Sequence, residues 1–193
     1  MKQQPSVGLG ELILDHYSTY LGAFRGHHAF REGDDSPQIQ VLEYRGVVPG
    51  CRVLATLGFG RFSLAAGSRF LQVVAAVADP SEGVEDFMGR AMYAIAKRGL
   101  SLEIGMSFGG LEGASPRFAK DSGKSGLYFC EPFPFHEQFR FPTGRGVGAE
   151  LLMAIPIAKS EREFLKRWGA VRFECLLEGE DVDVFDSTRT PVV

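Results

Sequence analysis

The sequence predicts a single α+β domain: a mixed, largely antiparallel sheet flanked by about three helices. Three observations carry this reading. Two strongly apolar runs, Ser68–Ala78 and Val147–Ile157, have the length and branched content of buried central strands. Shorter segments between turn signals alternate or are apolar in the manner of strands. Three other stretches place apolar residues at helical spacing. Strands and helices follow one another without internal repeat, which fits α+β rather than a repeating βαβ plan. A chain of 193 residues matches the usual size of one domain, about 100–200 residues, so the domain is taken as residues 1–193. A chain of this size buries about 70% of its unfolded surface and needs no metal or disulfide staple to fold.

The first helix is expected over Leu12–Phe24, with Leu12, Tyr17, Tyr20, Leu21 and Phe24 on one face. Residues 31–37 (REGDDSP) read as a polar loop. Ile39–Tyr44 reads as a strand, Val47–Gly50 as a Pro-Gly turn, and Cys51–Leu57 as a second strand. Ser68–Ala78 follows and is stopped by Asp79-Pro80-Ser81. The second helix spans Val84–Arg98. Phe87, Met88, Ala91, Met92, Ile95 and Ala96 form its stripe, and Gly99 sits at its C′ position. Leu100–Phe108 is extended, Leu111–Gly126 a Gly/Ser/Lys-rich loop, and Leu127–Cys130 a short strand. The third helix, Ser160–Trp168, opens on Ser160 and Glu163, the spacing of a capping box, and closes at Gly169. Val171–Leu177 is compatible with helix or strand, and Glu178–Val193 is an acidic tail.

Composition excludes several classes of function. The hydrophobic fraction is 45% and the charged fraction 23%, near the globular average and far from a disordered or fibrous chain. A net charge of −3 argues against a nucleic-acid binder that neutralises many phosphates. Three widely spaced cysteines, Cys51, Cys130 and Cys175, suit a reducing compartment better than a disulfide framework. The segment MKQQPSVGLGELIL lacks an apolar run of signal-peptide length. The longest apolar runs fall short of the roughly 20 residues that span a membrane. The expectation is a cytoplasmic protein without a membrane or nucleic-acid partner.

Several motifs match by letter and fail in context. Gly123-Lys124-Ser125 resembles the end of a phosphate-binding loop, but the glycine required five residues earlier is Phe118. Gly144-Arg145-Gly146-Val147-Gly148-Ala149 has dinucleotide-fingerprint letters, yet a strand-like run follows it where a helix should open. His16, His27 and His28 do not form a zinc-ligand set with the cysteines. No nucleophile or paired-carboxylate motif stands out, so no catalytic residue, cofactor or metal is expected. Two surface features remain. Phe129–Phe141 carries five phenylalanines in thirteen residues, of which Phe133 and Phe135 are candidates to dock a protein partner. Glu178–Asp186 holds five acidic residues in nine, and Glu178, Glu180, Asp181 and Asp183 are candidates to face a basic partner.

The order of segments resembles the suppressor-of-fused domain family in its compact bacterial form. The resemblance begins at Val53-Leu54-Ala55-Thr56-Leu57-Gly58 and continues through Arg69-Phe70-Leu71-Gln72-Val73 and the helix Val84–Gly99. It is most specific at Leu151-Leu152-Met153-Ala154-Ile155-Pro156-Ile157 with Ser160-Glu161-Arg162-Glu163. It closes with Trp168-Gly169-Ala170 and with Asp186 and Arg189 of the final D-x-x-R, and covers residues 38–192. The chain departs from the pattern at Gln72, an acidic position in the family, and at Gly58-Phe59-Gly60. The resemblance implies an α+β fold and binding rather than chemistry. Eukaryotic members sequester a zinc-finger transcription factor, and a partner peptide can add as a strand. Bacterial members resemble immunity proteins that neutralise a cognate toxin by direct contact.

The leading expectation is therefore a cytoplasmic immunity protein bound to a protein toxin. The second is a regulatory scaffold that captures an extended peptide on a sheet edge. The third is an enzyme using a pocket with Cys51, His27 or His136. Asp186 and Arg189, three residues apart, are expected to pair with each other or fix the last turn.

Overall fold

The two most apolar segments become neighbours at the centre of the sheet. In the computed structural model, β4 (Phe70–Ala78) and β8 (Val147–Ile157) pair in parallel, with Phe70 opposite Ala149 and Val74 opposite Met153. The structure describes residues 8–31, 38–61, 70–78, 81–144 and 147–193. Most of the expected polar loop at 31–37, the start of the run at 68–69, its stop at 79–80 and residues 145–146 of the glycine-rich stretch lie outside the described residues.

Every other pairing in the sheet is antiparallel. β3 (Cys51–Leu57), β2 (Ile39–Arg45) and β1 (Gly26–Phe30) extend it from β4. β6 (Gly126–Cys130) and β5 (Ser107–Gly109) extend it from β8. The order is β1-β2-β3-β4-β8-β6-β5, and the two-residue β7 (Thr143–Gly144) folds back on β8. The α+β expectation thus holds, and the single parallel pair makes the sheet mixed.

Strand alternation divides the core into two layers. Leu71, Val73, Ala75 and Val77 of β4 face one side with Leu152 and Ala154 of β8. Val74 and Ala76 face the other with Leu151, Met153 and Ile155. The first face is covered by α2 (Val84–Lys97), whose Phe87, Met88, Ala91, Met92 and Ile95 are buried as the stripe requires. The second is covered by α1 (Leu9–Leu21), α4 (Lys159–Trp168) and α5 (Ala170–Gly179), through Ile13, Tyr17, Leu165 and Phe173 among others.

Three helices stand near their expected places and two more appear. α3 (Pro116–Ser122) forms inside the expected loop, with Pro116 in its first turn and Gly123 ending it at φ 68°. α5 resolves the open choice over Val171–Leu177 in favour of helix. α1 starts three residues earlier than expected and stops at Gly22, whose φ of 77° only glycine adopts readily. Its buried line is Ile13, Tyr17 and Leu21, and Phe24 is exposed. The Tyr17 hydroxyl donates to the Thr56 carbonyl oxygen at 2.9 Å, fixing the helix to β3. Gln72, the departure from the acidic family position, is buried. Its Oε1 accepts from the Thr56 hydroxyl at 3.0 Å, a bond that places no charge in the core.

Strand β1 has no counterpart in the sequence reading, because its segment GHHAF is polar and short. It is held at the sheet edge by Phe30, which packs over Gly89 of α2. A β-carbon on Gly89 would overlap the Phe30 ring. Gly89→Ala is expected to push that ring out and cost about 1–3 kcal/mol, read as a lower denaturation midpoint. On the other face, the His16 Nε2–H donates to the Phe139 carbonyl oxygen at 2.8 Å and the ring stacks on Phe139. Burial holds the His16 pKa below its ordinary 6.5, outweighing that hydrogen bond. The unfolded chain therefore binds more protons just below that value, and stability falls as pH drops from 6.5 toward the folded pKa. His16→Gln is expected to flatten this acid limb in urea titrations at successive pH values.

Candidate partner-binding cleft

The acidic tail is not a free tail. After α5 the chain doubles back as a strap: the Val182 N–H donates to Leu177 O at 3.0 Å, and the Ala78 N–H at the end of β4 donates to Phe185 O at 2.8 Å. The Ser187 hydroxyl meets that of Ser81 at 2.9 Å. Farther along, Arg189 Nη1 donates to Glu161 Oε1 at 2.5 Å, and Lys124 Nζ donates to the Arg189 carbonyl oxygen at 2.8 Å. Glu161 and Lys124 are fully buried, and Lys124 Nζ lies 3.9 Å from Glu161 Oε2. Burial and the neighbouring Arg189 lower the Lys124 pKa, while Glu161 and Asp186 oppose the shift.

This clasp changes the reading of three sequence signals. Lys124 of the Gly-Lys-Ser triplet is a structural cation inside the protein and is closed to phosphate. The α4 cap lies two residues before the expected Ser160/Glu163 pair: Glu161 Oε2 accepts from the Ala158 N–H at 2.8 Å. Ala158 has no side-chain oxygen to return the bond, so half of the capping box is present. Asp186 and Arg189 fix the last turn through the Arg189 N–H to Asp186 O bond at 3.2 Å. Their side chains go elsewhere, Arg189 to Glu161 and Asp186 to the Thr188 hydroxyl at 2.7 Å. That hydroxyl bond leads the causes that hold the Asp186 carboxyl below its usual range.

The strap forms one wall of a cleft of about 770 Å³. Its floor is apolar: Tyr128 and Cys130 of β6, Ile155 of β8, Leu177 of α5, and Val184 of the strap. Phe133 stands at the mouth, 59% exposed, with its ring stacked on Phe185 at 5.9 Å between centroids. The rim is acidic, with Glu131, Glu174, Glu178, Asp181 and Asp183 and no basic side chain among the described residues lining it. The Asp183 carboxylate accepts from the Phe185 N–H at 3.0 Å and shapes the strap where it passes the aromatic pair.

The structure brings Phe133, Glu178, Asp181 and Asp183 together on this cleft. It does not bring Glu180, which ends α5 and does not line the cleft, or Phe135, which packs on Phe139 at 4.6 Å. Glu131 and Glu174 were missed. Once 171–177 is helical, Glu174 and Glu178 are one turn apart beside Leu177, a pairing that the open helix-or-strand choice concealed. The Tyr128 hydroxyl donates to Glu174 Oε1 at 2.5 Å. The Cys130 thiol is pushed up to about 12, first by burial and then by Glu174 and Glu131, so it stays protonated at neutral pH.

The residues offered for an enzymatic pocket are dispersed. Cys51 opens β3, His27 lies on β1, and the ring of His136 lies 6.0 Å from that of Tyr20. Among the described residues no group of three or more His, Cys, Asp or Glu is arranged to hold a metal ion, and no helix is long and apolar enough to cross a membrane.

Removing the Arg189 side chain leaves the Glu161 carboxylate buried without its main partner. Arg189→Ala is expected to cost about 3–5 kcal/mol, measured by urea unfolding, with Arg189→Lys recovering part of the loss.

Comparison with known proteins agrees with this architecture. Immunity protein YqcF of Bacillus subtilis (strain 168) is 22% identical over 123 residues, covering 64% of this chain and 62% of its own length. A suppressor-of-fused homologue from Neisseria gonorrhoeae FA 1090 superposes with a TM-score of 0.72 at 14% identity, covering 95% of this chain and 96% of that one. A chain of the Sufu–Fu complex superposes with a TM-score of 0.68 at 15% identity, covering 98% of this chain and 93% of that one. Drosophila Suppressor of Fused superposes at 0.56 and 14% identity, covering 80% of this chain and 42% of that one. The model of the suppressor of fused protein (SUFU) family matches residues 35–190, and the chain belongs to that family.

Proposed function

We propose that this protein is a non-catalytic binding domain whose acidic, aromatic cleft receives a basic segment of a partner protein, and that it serves as a cytoplasmic immunity protein against a cognate toxin. The observation that carries the reading is the cleft itself: five carboxylates around an apolar floor, without a lining cation. Glu131 is already paired with Arg140, and a cationic partner would neutralise the remaining carboxylates while its apolar side chains fill the floor. The immunity function named for the Bacillus relative and the complex formed by Sufu with Fu support a protein as the ligand. No cofactor takes part. Phe133 acts as the exposed anchor, with Glu178, Asp181 and Asp183 aligning the partner.

The second reading, capture of an extended peptide on a sheet edge, draws on β1, which among the described residues pairs only with β2 and exposes His27, His28 and Ala29. Variants separate the two readings. Asp181→Lys/Asp183→Lys is expected to weaken the complex at least about tenfold, chiefly through slower association, and to abolish protection of cells making the toxin. The measurement is co-purification and interferometry with a candidate cognate toxin. A lack of any stable complex, together with a lack of protection by the unaltered protein, would overturn the immunity reading. Full affinity in the doubly substituted protein would remove the cleft from it.

A further inference from the structure

The five carboxylates of the cleft differ in their surroundings. Glu131, Glu178, Asp181 and Asp183 are exposed, and Glu131 is paired with Arg140. Glu174 alone is half-buried, and no cation among the described residues pairs with it. Its Oε1 accepts the 2.5 Å bond from the Tyr128 hydroxyl. Tyr128 is only 1% exposed, and its ring meets that of Phe173 edge to face at 5.3 Å between centroids. Burial, followed by the bond to Glu174, raises the Tyr128 pKa above its ordinary 10.0, so the hydroxyl stays the donor at neutral pH. A carboxylate drawn out of water costs free energy unless a cation or several donors meet it. It has about four acceptor sites, and a single hydroxyl of the protein meets Glu174. The rest of its capacity is left to whatever enters the cavity.

We propose that Glu174 is the specificity-determining residue of the cleft, and that it receives one arginine side chain of the partner protein. This rests on the cleft reading above and names the group that the cleft selects. A metal ion does not suit the site, since among the described residues no three His, Cys, Asp or Glu are arranged to hold one. A side-chain cation needs one carboxylate at the end of an apolar path. Ile155 and Leu177, which line the cleft with Glu174, supply apolar surface for its stem. Arginine fits better than lysine for two reasons. Its planar fork matches the two oxygens of a carboxylate, and its guanidinium is more weakly hydrated than an ammonium, so it loses less on entering an apolar cavity. Tyr128 acts as a positioning residue, because its hydroxyl fixes where Oε1 sits. The four exposed carboxylates lie in water and screening ions, where a single ion pair adds little. They guide a basic segment without selecting one side chain.

The test is selection of a displayed random-peptide library on the full chain, with selected peptides resynthesised and their affinities measured by fluorescence polarisation. Basic peptides sharing one invariant arginine are expected. Glu174→Gln should weaken their binding at least about tenfold, and Glu178→Gln, at an exposed position, less than about fivefold. The unaltered protein should prefer a selected peptide to its arginine-to-lysine form by about tenfold. Both Glu174→Gln and Tyr128→Phe should reduce that preference, which a purely structural role for either residue would leave intact. Circular dichroism checks that the variants fold, and Glu174→Gln carries the test if Tyr128→Phe does not. Three results would overturn the proposal: no invariant arginine among selected peptides, Glu174→Gln binding no worse than Glu178→Gln, or spermidine or arginine amide binding as tightly as the peptides. In the second case, peptides still weakened by Asp181→Lys/Asp183→Lys leave the cleft standing and remove only the role of Glu174. Peptides indifferent to both variants remove the cleft as well.

Discussion

The carboxylate of Glu161 is where the chain's last segment, the start of α4 and the turn before β6 are joined. A buried carboxylate without partners is among the costliest groups a fold can hold, and removing one member of a buried pair typically destabilises by about 3–5 kcal/mol. Here the cost is offset by the Ala158 N–H at the start of α4, the Arg189 guanidinium, and Lys124 at 3.9 Å. The strap preceding Arg189 would otherwise be an acidic peptide leaving α5 into solvent. Held at Arg189, at Ser187 and at Phe185, it passes the end of β4 and makes a wall of the cleft. The compensation is incomplete, since Arg189 Nε and Nη2 are buried without a hydrogen-bond partner. The clasp therefore fixes one geometry at some expense in stability, a trade expected where position matters more than strength.

With the strap in place, the molecule separates its charges. The small net charge conceals an acidic cleft built from β6, α5 and the strap. At physiological salt the screening length is about 8 Å, so the field at the cleft is set by its own carboxylates rather than by the overall charge. An exposed apolar ring lies at its mouth, Phe133 stacked on Phe185. In the proposed complex, charge would guide encounter and apolar contact would retain the partner. Membership of the SUFU family is consistent with a scaffold whose chemistry lies in its surfaces.

Elements that are regular over several residues were legible. The α2 stripe appears where its periodicity places it, with Gly99 after its end at φ 62°. The runs that become β4 and β8 were recognisable because both of their faces are buried, which removes alternation and leaves unbroken apolar sequence. Strand β1 was not legible, since an exposed edge strand of GHHAF has neither alternation nor apolar length. Helix α3 was hidden by the small and polar residues around it, although Pro116 and Gly123 bracket it as start and stop. The site was half legible. The acidic run and the phenylalanine segment each stood out by composition, but only Phe133, Glu178, Asp181 and Asp183 meet, and Glu131 and Glu174 join them from positions that look like ordinary surface.

By itself the sequence determined the fold class, the two central strands, the α2 face and the presence of an acidic and an aromatic segment near the C-terminal end. These follow from local patterns of burial that nearest neighbours along the chain already express. Only the tertiary structure decided that Lys124 is buried against Glu161 and Arg189, that the strap returns to the end of β4, and that an acidic cleft results. Each of these depends on residues distant in sequence, with Lys124 bonding 65 positions away and Ser81 106 positions away. Contacts at such separations leave no periodicity to read. They are fixed by the packing of α4 and α5 against the sheet, and by the need of each buried charge for a partner.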